Sequence, residues 1–227
     1  MWDRYDRIVS ISDAVTDSFL GVFPELKAKI VLIENILPEK LIRKQAEAFS
    51  VEKEMPEKGI RLLSIGRFCY QKNFDNVPDI CARLLKSGLD IYWYLLGFGP
   101  DENLICQKIK EAGMENRVIV LGKKENPYPY IKACDLYVQP SRYEGKAVTV
   151  REAQMLGKPV VITRYSTASS QLEEGADGMI VPMDNEGCAA GIAELLQNPE
   201  KQKRIVCGCA EKNYANSAEA SKLSSLA

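Results

Sequence analysis

The chain contains no histidine. That absence removes from these residues every His-based catalytic triad, every imidazole metal ligand and the commonest general base near neutral pH. Chemistry carried here must use carboxylates, Lys and Arg, hydroxyls or thiols. No apolar run approaches the ~20 residues a membrane-spanning helix needs. Met1-Trp2-Asp3-Arg4-Tyr5-Asp6 lacks the basic start and apolar stretch of a signal peptide, so the expected location is cytoplasmic. The seven cysteines are odd in number and include no Cys-x-x-Cys pair, which argues against a disulfide framework and for reduced thiols. Cys207-Gly-Cys209 has no second pair to complete four ligands and reads as packing thiols on a helix. Thirty Lys and Arg against thirty-one Asp and Glu give a formal charge of −1, so no domain-wide basic field exists to hold a nucleic acid. There is also no Asp-x-Asp triplet of the kind that holds a divalent ion.

What is present is the composition of a globular protein, 46% hydrophobic and 27% charged over 227 residues, enough for one ample core or two small ones. From Ile60 onward, apolar β-branched runs alternate with amphipathic stretches. Strands are expected at Ile60–Ile65, Asp90–Leu96, Arg117–Leu121, Asp135–Val138, Pro159–Thr163 and Met179–Val181. Helices are expected over about Asn73–Lys86, Asp101–Ala112, near Tyr130, over Ala147–Leu156 and around Gln171. Near-continuous apolar strands separated by helices are buried on both faces, the signature of an α/β fold with a doubly wound, Rossmann-like parallel sheet. After Asp184 the pattern is helical only, through Ala189–Leu196 and Pro199–Cys209, and the C-terminal helices and tail should pack on the sheet or return toward a neighbouring domain. The first 58 residues differ: a strand at Arg7–Ile11, a helix capped by Ser12 or Asp13, a strand at Lys29–Glu34, and a charged segment, Pro38–Lys58, whose end, Glu52–Gly59, reads as the solvated linker before the main domain. Residues 1–58 therefore read as the edge of a larger domain and residues 59–227 as the main domain.

Two segments carry chemistry. Gly66-Arg67-Phe68-Cys69-Tyr70-Gln71-Lys72 follows the first strong strand, where ligands of such folds sit; Gly66 permits close backbone approach, and Arg67 and Lys72 suit a diphosphate. As a bare pattern it reads equally as a solvated basic turn. The second is Pro140-Ser141-Arg142-Tyr143-Glu144-Gly145-Lys146-Ala147-Val148-Thr149-Val150-Arg151-Glu152-Ala153. Glu152 follows Glu144 by eight residues, about 12 Å if the span is helical. That matches the reach of a nucleotide sugar from hexose to ribose, with free N–H groups near Lys146–Thr149, including Val148, facing the phosphates between. Two exposed acids on a helix give the same pattern. Lys146 either adds a third charge there or points to solvent, and Tyr128 and Tyr130 read as packing residues at a helix start. Gly97-Phe98-Gly99 has Glu102 where a dinucleotide fingerprint needs its third Gly, and no Walker pattern occurs.

Gly66-Arg67…Lys72, Leu96-Gly97-Phe98-Gly99-Pro100, Val118–Gly122 and Pro140-Ser141-Arg142-Tyr143-Glu144-Gly145…Glu152-Ala153…Gly157-Lys158-Pro159, in this order and spacing, resemble the donor-binding domain of the group 1 glycosyltransferases. Those are retaining enzymes of the GT-B architecture, in which two Rossmann-like domains face each other across a cleft. The resemblance runs over roughly Tyr5 to Tyr214, and the two glutamates inside a Ser-x-x-Glu-Gly…Glu-Ala frame are its most specific element.

The resemblance implies roles. Arg67 and Lys72 fall on the cationic pair that neutralises the departing diphosphate, with Gly66 beneath it. Glu144 falls on the glutamate beside the reacting carbon, with Gly145 next to it, and Glu152 on the one that holds the ribose. Leu121 and Gly122 fall where the backbone meets the nucleobase. Lys146-Ala147 replace the family's usual aromatic-Gly pair, and Ala147 still offers its N–H. No metal or other cofactor is expected; a nucleotide sugar, such as a UDP- or GDP-sugar, is the substrate. The acceptor, a glycan or lipid-linked sugar, and a catalytic histidine belong to an N-terminal domain of which only a remnant is expected here. This portion is accordingly expected to be inactive by itself, and the whole enzyme is expected to meet the inner face of the membrane. A non-catalytic nucleotide-sugar binding module and a sugar-nucleotide epimerase-like protein remain open alternatives.

Overall fold

The structure, a computed structural model, describes residues 2–224. Two sheets form. The small one pairs β1 (Ile8–Ser10) and β2 (Ile30–Leu32) in parallel, with helix α1 (Asp13–Val22) between them. Ser12 caps α1, its hydroxyl accepting from the Val15 N–H at 3.2 Å. The large sheet contains β3 (Ile60–Ile65), β4 (Ile91–Leu96), β5 (Val118–Gly122), β6 (Leu136–Gln139), β7 (Val160–Thr163) and β8 (Met179–Val181), all parallel, in the order β5-β4-β3-β6-β7-β8. Its strands alternate with helices α3 (Val77–Lys86), α4 (Glu102–Glu111), α5 (Tyr128–Ala133), α6 (Val148–Met155) and α7 (Ala168–Gln171).

Because side chains alternate along a strand, the apolar runs feed two cores at once. Leu62, Trp93, Leu136, Val138 and Val161 pack on one face, while Leu63, Tyr94, Tyr137, Val160 and Ile162 pack on the other. One polar bridge crosses the centre. Trp93 Nε1 donates to Ser64 Oγ at 2.9 Å, and Ser64 Oγ donates to the Val138 carbonyl at 2.5 Å, joining β4, β3 and β6. The winding reverses between β3 and β6, and the crevice beyond the carboxyl ends of those two strands is where such sheets take ligands.

Two expectations change. The helix expected from Asn73 starts only at Val77: Asn73 is left-handed at φ 61°, a short 3₁₀ turn at Phe74–Asn76 intervenes, and Pro78 occupies the first turn of α3, where its missing N–H costs nothing. The charged segment Pro38–Lys58 packs more than its charge suggests, although its end, the expected linker at Glu52–Gly59, is exposed apart from Met55 and Pro56. It contains α2 (Glu39–Ala46), whose Ile42 is fully buried in the first core, while Val51 and Met55 enter the second. The four-residue spacing of Ile42 and Ala46, and of Val51 and Met55, gives a mostly charged segment a narrow apolar stripe. Asn126 Nδ2 donates to the Gln45 carbonyl at 2.9 Å and Lys124 pairs with Glu54 at 2.7 Å, fixing the segment against α5. The Cys207-Gly-Cys209 pair lies in α9 (Pro199–Glu211); Cys209 is buried, which pushes its thiol up to about 11, and all seven cysteines are free.

Helix α8 (Asn185–Leu196) covers the sheet beside α3, and after α9 the chain returns to the N-terminal segment, as expected of the tail. The Ala215 carbonyl accepts from Leu37 N–H at 2.9 Å, and Glu219, opening α10 (Glu219–Ser224), accepts from Glu34 N–H at 3.2 Å.

Candidate functional site

The turn after β3 is built against the Gly-x-Gly turn after β4. A Cβ on Gly97, which has φ +147°, would stand 1.9 Å from the Gly66 carbonyl oxygen, and one on Gly99 would stand 2.3 Å from that of Phe68. These glycines therefore serve backbone packing between two loops. They seat Gly66, over which the methylenes of Lys72 lie at 3.0–3.3 Å from a built Cβ. Asn73, turned left-handed, donates from Nδ2 to the Pro140 carbonyl at 2.9 Å and so ties this loop to the end of β6.

That tie brings Lys72 Nζ to Glu144 Oε1 at 2.5 Å, with both side chains largely buried. Glu144 is held from several sides. Ser141 Oγ donates to Oε1 at 2.6 Å and Gln71 Nε2 to Oε2 at 3.1 Å, while Thr167 Oγ1 donates to its backbone carbonyl at 2.6 Å. Behind Ser141 runs a buried relay: Gln139 Nε2 donates to Ser141 Oγ, and Tyr137 Oη donates to Gln139 Oε1, each at 2.9 Å. Gln71 and Ser141 were not singled out in the sequence, although their places beside Lys72 and in the Ser-x-x-Glu frame were signals. Arg67 is exposed and makes no hydrogen bond or ion pair among the described residues. The structure thus joins Lys72 to Glu144 and leaves Arg67 unengaged at the edge.

Only four of the eight steps from Glu144 to Glu152 are helical, because α6 begins at Val148 and Glu144, Gly145, Lys146 and Ala147 form a loop. Two expectations about that loop change. The Ala147 N–H is already taken by Gln171 Oε1 at 2.7 Å, and Gln171 Nε2 returns a bond to the Ala147 carbonyl at 3.3 Å. The N–H groups of Val148 and Thr149 have no partner among the described residues, so these are the helix-terminal donors open to an anion. Lys146 neither reaches solvent nor stands free: its side chain is 4% exposed and ion-paired with Glu34, just beyond β2. Arg151 Nη2 pairs with the same carboxylate at 2.9 Å, and Asn216 Nδ2 donates to it at 2.7 Å. Partial burial works to raise the Glu34 pKa, but the bonds and charges of Lys146 and Arg151 outweigh it and hold that group at about 2. No local pattern marks Glu34, which lies 112 residues from Lys146.

Glu152 is 8% exposed, and burial raises its pKa; the hydroxyl of Tyr128, donating to Oε1 at 3.0 Å, acts the other way. Tyr128 thus packs, as expected, and also bonds a candidate site residue. Beyond β3, β4 and β5 opens a cavity of about 700 Å³ whose wall includes Gly66, Arg67, Phe98, Lys123 and Lys124. Phe98 is more than half exposed, with Lys123 Nζ 5.2 Å from its ring centre. Leu121 and Gly122 end β5 but do not line this cavity, and the Gly122 carbonyl is taken by the Gly97 N–H at 2.9 Å. Among the described residues no cluster of three or more Cys, Asp or Glu is placed to hold a metal ion, and no helix is long and apolar enough to cross a membrane.

A family model described as "Glycosyl transferases group 1" matches residues 27–208. Among curated proteins, the chain is 28% identical over 145 residues to the lipopolysaccharide core biosynthesis glycosyltransferase LpsE of Rhizobium meliloti, covering 63% of this chain and 42% of that protein. It is 26% identical over 198 residues to the N-acetyl-alpha-D-glucosaminyl L-malate synthase of Bacillus anthracis, covering 85% of this chain and 51% of that one. The chain spans about half the length of the curated relatives it matches. Among solved structures, Anabaena Alr3699/HepE in complex with UDP superposes with a TM-score of 0.83 at 19% identity, over 97% of this chain and 63% of that one. S. aureus TarM, crystallised with UDP among its ligands, superposes at 0.82 and 18% identity, over 99% of this chain and 44% of that one.

Proposed function

The chain belongs to the group 1 glycosyltransferases, and from that premise we propose that it is the donor-binding part of a retaining hexosyltransferase. The enzyme moves a hexosyl group from a nucleotide-diphosphate sugar to a glycan or lipid-linked acceptor in cell-surface polysaccharide synthesis. One observation carries the reading: the Lys72–Glu144 pair at 2.5 Å joins the turn after β3, which carries unengaged Arg67, to the loop that leads into the open N–H groups of Val148 and Thr149. A diphosphate laid between the β3 turn and the α6 N-terminus meets cations on one side and helix amides on the other. When the bond from phosphate to sugar breaks, the charge growing on the departing diphosphate is met by the α6 amides and by Lys72 as it turns from Glu144, which is the main catalytic effect of this half of the cleft. In this reading Arg67 and Lys72 take the part that Mg²⁺ plays elsewhere. Glu144, fixed by Ser141 and Gln71, faces the sugar, Glu152 accepts from the ribose, and the cavity beside Phe98 takes the base.

The UDP carried by HepE and TarM makes a uridine nucleotide the first donor to try. Acceptor contacts and a catalytic histidine are assigned to the partner domain of the cleft, and the whole enzyme to the inner face of the membrane. Titration calorimetry of the chain with UDP, GDP, ADP and NAD tests the reading. The expected result is binding of at least one nucleoside diphosphate, weakened about tenfold or more by Lys72→Ala. Binding of NAD alone, or of none of the four, overturns it.

A further inference from the structure

Tyr128 is the one donor that any described residue offers to the Glu152 side chain. We propose that Tyr128 is a positioning residue for ribose recognition, its hydroxyl fixing the Glu152 carboxylate so that the remaining acceptor sites face the sugar diol. The inference rests on the reading of Glu152 as the ribose acceptor.

The geometry separates the hydroxyl's role from that of the ring. Tyr128 packs its ring with both cores, and its Oη reaches Glu152 Oε1 at 3.0 Å. Glu152 Oε2 has no hydrogen-bond partner among the described residues, yet it is not among the sealed, unpartnered polar atoms, which are Arg151 Nη1, Gln154 Oε1 and Tyr165 Oη. One oxygen is pinned and the other is open. A carboxylate has four acceptor sites and turns about its terminal torsion, so a single strong donor on one oxygen is enough to choose its orientation.

The donor is itself held. The Tyr128 N–H donates to Asn126 Oδ1 at 3.2 Å, while Asn126 Nδ2 donates to the Gln45 carbonyl at the end of α2. The α2 segment therefore sets where α5 starts, α5 sets Tyr128, and Tyr128 sets Glu152. Burial, the Glu152 charge and the bond to it push the phenol up to about 12, so it remains a donor at any working pH. A ribose diol brings two hydroxyl donors, which fit Oε2 and the second lone pair of Oε1; a deoxyribose brings one fewer.

Calorimetry with UDP, 2′-deoxy-UDP and 3′-deoxy-UDP on the parent chain, Tyr128→Phe and Glu152→Gln tests this, with GDP and ADP as controls. The parent should prefer UDP over either deoxy analogue by about tenfold or more, as expected of a bond to a charged acceptor. Glu152→Gln should abolish that preference. Tyr128→Phe, which keeps the ring, should leave UDP binding measurable and reduce the preference to about threefold or less. Equal weakening of UDP and its analogues in Tyr128→Phe, with the ratio unchanged, would assign Tyr128 to packing alone and overturn the inference. Tighter UDP binding in that variant would make the hydroxyl an obstacle and overturn it too. If the parent binds UDP with no ribose preference and Glu152→Gln changes nothing, the ribose role of Glu152 fails first and the inference falls with it. If the parent binds none of UDP, GDP and ADP, the nucleotide-sugar reading itself fails.

Discussion

Removing Glu34 should destabilise the fold more than its partly exposed position suggests. Its carboxylate accepts from Lys146, from Arg151 at 2.9 Å and from Asn216 at 2.7 Å. The Lys146 and Arg151 side chains are only 4% and 10% exposed, and neither has another counter-charge among the described residues. Glu34→Ala strands two nearly buried cations. Breaking a fully buried pair from one side costs about 3–5 kcal/mol; Glu34 keeps 28% of its side chain in water, so discounting for screening leaves about 2–3 kcal/mol. The effect also carries a pH signature. The Glu34 pKa is about 2 when folded against 4.5 ordinarily. The stabilisation it brings is therefore complete above pH 4.5 and is lost as the pH falls toward 2. Urea unfolding followed by tryptophan fluorescence gives both numbers. The gap between parent and Glu34→Gln should be constant from pH 7 to about 5 and narrow measurably by about pH 3.5. An Ala variant within about 0.5 kcal/mol of the parent would refute the ion-pair hub, as would a parent-to-Gln gap that does not change with acid.

Three further outcomes follow from geometry. Gly97→Ala should cost about 3 kcal/mol or more and abolish nucleotide binding, because its Cβ would overlap the Gly66 carbonyl at 1.9 Å; a urea midpoint close to the parent's would contradict the loop packing. Ser64→Ala leaves the Trp93 indole N–H unpaired between β3 and β4, and should cost about 1–3 kcal/mol in the same unfolding assay, whereas a neutral change would mean that the bridge contributes nothing. Glu144→Gln frees Lys72 from its 2.5 Å partner, so UDP should bind about three- to tenfold more tightly by calorimetry, even as transfer by the complete enzyme falls; weaker UDP binding would argue against a diphosphate competing for Lys72.

The sheet was legible because its strands are written as apolar runs with interleaved helices, a pattern that local periodicity reports. Residues near one another in sequence were legible for the same reason: Ser12, one of two cap candidates, caps α1, Lys72 flanks the turn at Gly66, and Glu144 lies in the turn before α6. Contacts between distant segments were not. Glu34 with Lys146, Gln171 with the Ala147 N–H and Tyr128 with Glu152 each join elements whose proximity follows only from the order in which strands assemble. The charged segment Pro38–Lys58 is a different case. Ile42, Ala46, Val51 and Met55 carried a periodic signal, but the surrounding charge masked it, since so narrow a stripe raises the mean hydropathy of a charged segment very little.

Those distant contacts decide how much charge the proposed site offers. Of the three cations placed for the diphosphate, apart from Lys123 and Lys124 at the base cavity, Arg67 is unengaged, Lys72 is neutralised by Glu144, and Lys146 shares the single carboxylate of Glu34 with Arg151. The two free units of positive charge, one at Arg67 and one spread over Lys146 and Arg151, equal the charge of a nucleotide sugar, whose two phosphates each carry one negative charge. Bond cleavage adds a further negative charge to the departing diphosphate, and a site balanced for the substrate lacks that unit. Two sources are available at the right place. The open amides of Val148 and Thr149 lie at a helix N-terminus, which acts as about half a positive charge. Lys72 supplies the rest by shifting from Glu144 toward the phosphate, a move that the ground-state ion pair opposes until the extra charge develops. Stabilisation that grows only as the bond breaks accelerates the chemical step rather than merely holding the substrate. On this reading the Lys72–Glu144 pair keeps a cation in reserve, and Glu34 keeps Lys146 from flooding the site with charge that would bind the donor and its product equally well.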